Sequence, residues 1–500
     1  MNLPEKYVRT MKDFLGEDYP AWQDSFLAFP EHGIRINELK TNLESFRKMW
    51  TVNCKNDPGA NTLEAIDWIH NGFHIRDTSV FSMHPYYQAG LYYIQEPSAM
   101  TPAELMPVEP GDYILDLCAA PGGKSTELLS KLRGTGILYA NDISVSRAQA
   151  LRKNLEMAGA SNAYITAEDP GKLAAIFPHF FNKILVDGPC SGEGMFRRKP
   201  DMISEWEKRG PDYYAPIQSD ILRSAVLMLR PGGMLLYSTC TFSETENEDR
   251  ILSLLRENED LEPGVLPDHP GFLKSRVPGL ENCCIRIMPH RMRGEGQFVC
   301  LLKKRCTSDI QKDRTERTGR KIYPVNNQLY LLPYGHMPVR GIRYLMTGLH
   351  VGSFKSGRLN PTQALAQALS ADEWPRTLNL SAQDDRLIRY LRGESISIYE
   401  GEITSRDLPI RSLFDVSADK YALLPCSGPS EDIRSAKAGK GRKKLYKDNR
   451  RKKAGTGKDS ELSMLYMEDI LILADGFPVG FGSENRGLLK NKRNPGWRML

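Results

Sequence analysis

The sequence predicts an α/β protein built on a mostly parallel sheet, and three observations carry that prediction. Short, continuously apolar runs recur from about residue 90 to 305: YILDLCAA, GILYANDIS, AYITAED, KILVDGPC and GMLLYSTC. Segments with helical spacing of apolar residues separate them. Each run ends in a polar or glycine-containing motif. Continuous apolar strands alternating with helices imply a parallel sheet covered on both faces, with ligands gathering outside the carboxyl ends of the strands.

The elements can be justified in order. GIRINELK, 33 to 40, alternates as a strand does, and FHIRD, 73 to 77, is a second candidate. Together they suggest a small α+β unit over residues 1–80. YILDLCAA (113 to 120) opens the central domain, expected over 81–305, and GILYANDIS (136 to 144) is its second strand. In the helix that follows, Ala148, Leu151, Leu155 and Ala158 fall at spacings of 3, 4 and 3, with Ser144 as N-cap and Gly159 as C-cap. AYITAED, KILVDGPC and GMLLYSTC are the third to fifth strands. A helix through IQSDILRSAVLMLR precedes the last, stopped by Pro231-Gly232-Gly233. Beyond 306 a polar linker leads to shorter segments, divided near 395 into a middle unit (306–395) and a β-rich unit (396–500).

Five hundred residues exceed what one core usually organises. An apolar content of 40% and a charged content of 26% fit a soluble globular chain. No apolar stretch approaches the roughly 18 residues of a membrane span, and MNLPEKYVRTMKDFLGED lacks a signal-peptide core. The nine cysteines are irregularly spaced, with no C-x-x-C pair, which argues against a disulfide framework and a zinc site. A reduced, cytoplasmic setting is expected. Cys54, Cys283, Cys284, Cys300, Cys306 and Cys426 carry no motif and read as packing or surface thiols. The net charge of +5 is local in origin. Residues 434 to 458 hold twelve Lys or Arg against the single acid Asp448. That stretch, within an expected disordered loop over 430–460, suits either a solvated tether or sequence-blind phosphate binding.

DLCAAPGGKS, 116 to 125, joins a strand to a helix through small residues. A Walker A loop fails here, because its first glycine would fall on Cys118, and no G-x-G-x-x-G fingerprint occurs. What remains is a tight turn, Cys118-Ala119-Ala120-Pro121-Gly122-Gly123, that brings backbone close to a ligand. Asp142 lies 19 residues past Gly123, where an acid suits a ribose diol. Asp169, after the third strand, is placed to meet an adenine amino group. A nucleoside site without a phosphate cradle points to S-adenosylmethionine. Two further strands end in cysteines, ILVDGPCSGEG at Cys190 and LYSTCTFSETENE at Cys240, and either thiol is a candidate nucleophile.

In this order, DLCAAPGGKS, NDIS, ILVDGPCSGEG and LYSTCTFSETENE resemble the Nol/Nop/Sun family of RNA cytosine-C5 methyltransferases, over about residues 90 to 305. GIRINELK and YYIQEPSAM resemble the family's N-terminal strand and the lead into its catalytic domain. GFPVGFGSENRGLLKN resembles the PUA-like tail of its RsmF-type ribosomal RNA branch. The resemblance implies a Rossmann-like fold dependent on S-adenosylmethionine, with a small α+β N-terminal domain and a PUA-like C-terminal one. It implies Cys240 as the nucleophile and Cys190 as the thiol assisting product release. Asp187 would bond the target base, lie beside the cofactor and be oriented by Lys124. The Pro189-Cys190 pair also resembles the nucleophile motif of DNA cytosine methyltransferases, which alone would favour Cys190.

Arg35, Lys40, Arg197, Arg198 and Lys199 are expected to contact RNA. Glu244, Glu246, Asn247 and Glu248 are read as a helix start whose dipole favours acids. The sequence departs from the family at Gly188, Asn182 and Pro170, none of which removes a reactive group. The implied partner is ribosomal RNA or the small subunit, with the chain acting as a monomer, without metal or membrane. The same reaction on tRNA, or a non-catalytic assembly factor, are the rival readings.

Overall fold

The computed structural model describes residues 3–53, 63–306, 320–333, 336–355, 358–408 and 467–499. The basic stretch 434–458, Cys54 and Cys426 lie outside them. Among the described residues no helix is long and apolar enough to cross a membrane.

The central sheet has ten strands. Five are parallel, in the spatial order Leu229–Thr239, Phe181–Asp187, Tyr113–Asp116, Ile137–Asn141, Ala163–Thr166. Successive side chains along these strands enter opposite cores. Ile184, Val186, Leu235 and Tyr237 pack on one face, and Leu185, Leu236, Leu138 and Ala140 on the other. That double burial is why the strands read as unbroken apolar runs. The antiparallel strand Gln297–Lys304 pairs with Leu229–Thr239, and Cys284–Ile287 pairs beyond it. Cys283, Cys284 and Cys300 are buried there, with their sulfurs grouped within 4.8 Å of one another.

The order of the parallel strands reverses between Phe181–Asp187 and Tyr113–Asp116. At that switch point the connections leave in opposite directions, opening a crevice at the carboxyl ends of the strands. The helices Gly123–Lys131 and Val145–Ala158 follow the first two strands. The second is capped as the sequence predicts: Ser144 Oγ accepts from Arg147 N and Gly159 closes the end at φ 88°. Its buried residues include Ala148, Leu151, Leu155 and Ala158, the positions assigned to its apolar stripe. The helix before the fifth strand spans Gly210–Met228, starting earlier than its apolar periodicity suggested and tolerating Pro216 within it. Leu229 already belongs to the strand, so Pro231-Gly232-Gly233 lie in the strand and not at the helix end.

The expected divisions at 80 and 395 move. The N-terminal sheet pairs His32–Ile36 with Gly72–Ile75 and also with Tyr92–Gln95, so it extends past residue 80. Arg376–Leu380 runs parallel to Ile470–Ala474 inside the last, six-stranded sheet, so that sheet begins well before 395. The middle unit is a four-stranded sheet from Arg320–Val325 to Arg358–Pro361. Its strand Tyr344–Thr347 leaves that sheet and pairs antiparallel with Ala163–Thr166, covering an edge of the central sheet. These links are long-range pairings that local pattern does not encode.

Candidate active site

The turn after Tyr113–Asp116 is held from both sides. Leu117 N donates to Leu185 O at 2.9 Å and Ala119 N to Asn141 O at 2.7 Å. Gly122 sits at φ 114°, where a Cβ would meet Leu151 Cδ1 at 3.0 Å, so the turn and helix approach as only glycine allows. The peptide between Ala120 and Pro121 is cis. Cys118 borders the turn, and burial pushes its thiol well up, out of the nucleophilic range.

Lys124 stands on the first turn of the following helix and crosses the switch point. Its Nζ lies 2.7 Å from Asp187 Oδ2, at the end of the fourth parallel strand. Burial works against the ammonium, but Asp187 outweighs it, with Asp116 and Cys240 adding, and the pKa rises. The other Asp187 oxygen, Oδ1, accepts from Ser238 Oγ at 2.6 Å and Gln297 Nε2 at 3.1 Å. Three donors on three elements therefore fix this carboxylate. Below it, Asp116 accepts from Ser125 Oγ at 2.6 Å, and burial pushes its carboxyl up to about 7.

The two cysteines meet. Cys190 Sγ and Cys240 Sγ are 3.3 Å apart, both half-buried, on loops that leave adjacent parallel strands. The sulfur contact and burial raise the Cys190 pKa, favouring a neutral thiol able to donate to its neighbour.

Beneath the pair lies a bed of buried acids that the sequence reading assigned elsewhere or overlooked. Glu246 Oε1 accepts from Ser191 N at 2.9 Å and Gln218 Nε2 at 3.0 Å, and Ser191 Oγ donates to Oε2. Ser191 Oγ also contacts Thr241 Oγ1 at 2.9 Å. Glu193 accepts from Trp206 Nε1 and from Phe242 N, each at 3.0 Å. Burial pushes Glu193 up to about 7, and burial also raises Glu246. Each acid ties the segment after Cys190 to the segment after Cys240, which sets the sulfur–sulfur distance. The helix expected near these residues spans Glu248–Glu257, with Glu248 and Asp249 in its first turn; Glu246 and Asn247 precede it as buried ties, and Glu248 pairs with buried Arg286. The signal available was an acid three residues after one cysteine and six after the other, inside otherwise small-residue motifs.

On the nucleoside side, Asp142 follows the second strand and is buried, accepting from Ser144 N at 3.0 Å. Arg147 bridges its Oδ2, at 3.3 Å, and Ala120 O of the turn, at 3.0 Å. Asp169 is exposed and caps the helix Pro170–Ile176, with Oδ1 accepting from Gly171 N and Lys172 N. One oxygen of the residue expected to meet the adenine thus serves as a helix cap.

Four of the five expected RNA contacts are corrected too. Arg35 is buried, with Nη2 donating to Gly123 O at 2.5 Å and to Thr126 Oγ1 at 2.7 Å, and Nε 2.9 Å from Glu127 Oε2. Lys40 Nζ donates to Ala89 O, Met157 O and Gln367 Oε1, and burial lowers its pKa to about 7. Arg197 pairs with buried Glu295 at 2.8 Å, and Arg198 donates to Glu31 O at 2.9 Å. Each cation is consumed joining domains or loops. Lys199 alone of the five is exposed.

Three family models match in chain order: the N-terminal domain of 16S rRNA methyltransferase RsmF over residues 3–97, 16S rRNA methyltransferase RsmB/F over 103–303, and the RsmF rRNA methyltransferase first C-terminal domain over 310–369. The chain belongs to the RsmB/F family. The ribosomal RNA small subunit methyltransferase F of Pectobacterium carotovorum is 32% identical over 314 residues, 61% of this chain and 63% of that protein. That of Escherichia coli O6:H1 is 34% identical over 313 residues, 60% of this chain and 63% of that protein. The match thus spans 63% of these relatives' length. Among solved structures, PH0851 aligns with a TM-score of 0.55 at 25% identity, covering 60% of this chain and 66% of that one. NSun6 from Pyrococcus horikoshii, at 0.51 and 20% identity, covers 60% and 98% and supports the fold alone. The Rossmann-like methyltransferase fold expected from the RsmF-type resemblance is the one observed.

Proposed function

We propose that this chain methylates C5 of a specific cytosine in small-subunit (16S) ribosomal RNA, using S-adenosylmethionine and a transient bond from Cys240 to C6 of the base. The observation that carries the reading is the sulfur pair, 3.3 Å apart, beside the Lys124–Asp187 bridge at the switch point. The relatives' names, ribosomal RNA small subunit methyltransferase F, support the substrate. Such a substrate accords with work in the cytoplasm.

The residues present fit the nucleoside cofactor. A tight turn with a left-handed glycine, a buried acid at Asp142 and the buried, unpartnered Asp116 Oδ1 offer hydroxyl and amine partners without a phosphate cradle. Residues 118–123 and Asp142 would hold it, with Asp187 bordering it. When bound, it supplies an electrophilic methyl group on a sulfonium and departs as a thioether.

Cytosine C5 is too electron-poor to take that methyl unaided. An ordinary thiol is only a few per cent thiolate at neutral pH. Here the Cys190 thiol can donate to the Cys240 sulfur, and the Lys124 ammonium lies close enough for Cys240 to help hold its proton. The Cys240 thiolate forms a bond to C6, and the C5–C6 π pair moves to C5, which becomes the nucleophile. Asp187, fixed by its three donors, accepts a hydrogen bond from the amino group at the base's N3/N4 edge. After C5 has gained its methyl, the C5 proton is lost to a base, the C5–C6 double bond re-forms and the S–C6 bond breaks. Cys190 assists that release. C6 is shielded in a stacked helix, so the target must be unpaired or flipped out.

The test is methyl transfer from labelled cofactor to small subunits and to tRNA. The parent protein should label ribosomal RNA at C5 of cytosine. Cys240→Ala should abolish transfer with cofactor affinity retained, and Cys190→Ala should accumulate a denaturant-resistant protein–RNA adduct. An adduct in Cys240→Ala would reverse the two roles, labelling of tRNA alone would replace the substrate, and transfer to no RNA would leave a scaffold.

A further inference from the structure

The helix Gly210–Met228 presents a surface that the chemistry above leaves unused. Gln218 Nε2 donates to Pro189 O at 2.9 Å as well as to Glu246, which docks this part of the helix against the loop bearing Cys190. Tyr214 lies one turn earlier on the same face, four residues from Gln218, and so stands at the outer side of that loop. Tyr213 is 45% exposed and Ile217 is 36% exposed. The rings of Tyr213 and Tyr214 are 5.1 Å apart and nearly perpendicular, and the Arg209 guanidinium lies 4.8 Å over the Tyr213 ring. Pro189 is also exposed. The open side of the sulfur pair therefore continues into an aromatic ledge that solvent reaches.

The ledge is not a phosphate patch. Between residues 199 and 212, Lys199, Lys208 and Arg209 face Asp201, Glu205, Glu207 and Asp212, and Arg209 is paired with Glu205 at 3.0 Å. Attraction here must come from ring faces, not from excess positive charge. A single-stranded RNA supplies the matching chemistry. Delivering one cytosine to Cys240 unstacks its neighbours, and an aromatic platform next to the pocket restores what a neighbour loses. Resting on the function proposed above, we propose that Tyr213 and Tyr214 form a stacking platform for the unpaired nucleobase adjacent to the target cytosine, with Arg209 holding the Tyr213 ring in place.

The test measures single-turnover methylation of an RNA fragment that the parent enzyme modifies, with 2-aminopurine beside the target as a stacking reporter. Tyr213→Ala and Tyr214→Ala should each weaken apparent RNA affinity about 5- to 150-fold, the range of one base–aromatic stack. The rate at saturating RNA should change far less. Tyr213→Phe and Tyr214→Phe, which keep the ring, should restore affinity and 2-aminopurine quenching. The salt dependence of binding should not change, because no phosphate contact is lost. An abasic site replacing the adjacent base should weaken the parent equally and the alanine variants no further. Alanine variants that match the parent in affinity and quenching would overturn this proposal alone. So would variants that lose affinity with the phenylalanine forms failing to rescue it. A parent inactive on every RNA would overturn the function proposal and this one with it.

Discussion

Replacing Arg35 with methionine should unfold the junction between the N-terminal and catalytic domains more readily, and leave intrinsic RNA affinity unchanged. Arg35 and Glu127 side chains are 3% and 1% exposed, and the guanidinium also reaches Gln95 Oε1, Gly123 O and Thr126 Oγ1. Removing one partner of a buried ion pair costs about 3–5 kcal/mol, because the other charge is left without compensation. Here Asn71 Nδ2 still donates to Glu127 Oε2 at 3.2 Å, which argues for the lower end, about 3 kcal/mol. Against a whole-domain stability of about 5–15 kcal/mol, that is a large fraction. Urea titration followed by tryptophan fluorescence should show the midpoint fall, and Arg35→Met with Glu127→Leu should recover most of it. Because Arg35 grips Gly123 O, the single variant should also bind cofactor more weakly. A variant with the parental midpoint, weaker RNA binding and a shallower salt dependence would refute this, and restore Arg35 to the RNA surface.

Lys199→Ala should weaken RNA binding and lower the salt slope by about 1, as loss of one phosphate contact does. Arg197→Ala should instead lower the melting temperature, since it strands buried Glu295, and equal salt slopes for the two variants would contradict this division. Glu193 titrates near 7 in the folded chain, against about 4.5 when exposed. The folded state therefore holds an extra proton between those values, and stability falls as pH rises from about 4.5 to 7 and then levels off. In Glu193→Gln that contribution vanishes, so a thermal scan should find the variant gaining on the parent between pH 5 and 8. A constant difference across that window would show that Glu193 is ionised throughout.

The five parallel strands, the capped helix Val145–Ala158 and the two cysteine-bearing strand ends were all legible in the sequence, because each is dictated by neighbours within a few residues. Apolar runs report burial on both faces, Ser144 and Gly159 report the helix ends, and small residues before Lys124 report a close turn. The fates of the cations were not legible. Arg35, Lys40 and Arg197 look like surface charges in a linear sequence. Their partners are Glu127, Gln367 and Glu295, about 90, 330 and 100 residues away. Glu193 and Glu246 posed the same problem: their burial follows from two loops closing over them, not from the residues beside them.

What the sequence alone determined is the order of the strands along the chain and the reactive groups at their ends. Local periodicity and turn chemistry are sufficient for that. Only the tertiary structure decided which ends adjoin. The reversal of strand order put Lys124 against Asp187 and, one strand over, Cys190 against Cys240. Such contacts depend on pairing between strands distant in the chain, and on buried charges that must find partners wherever the fold supplies them.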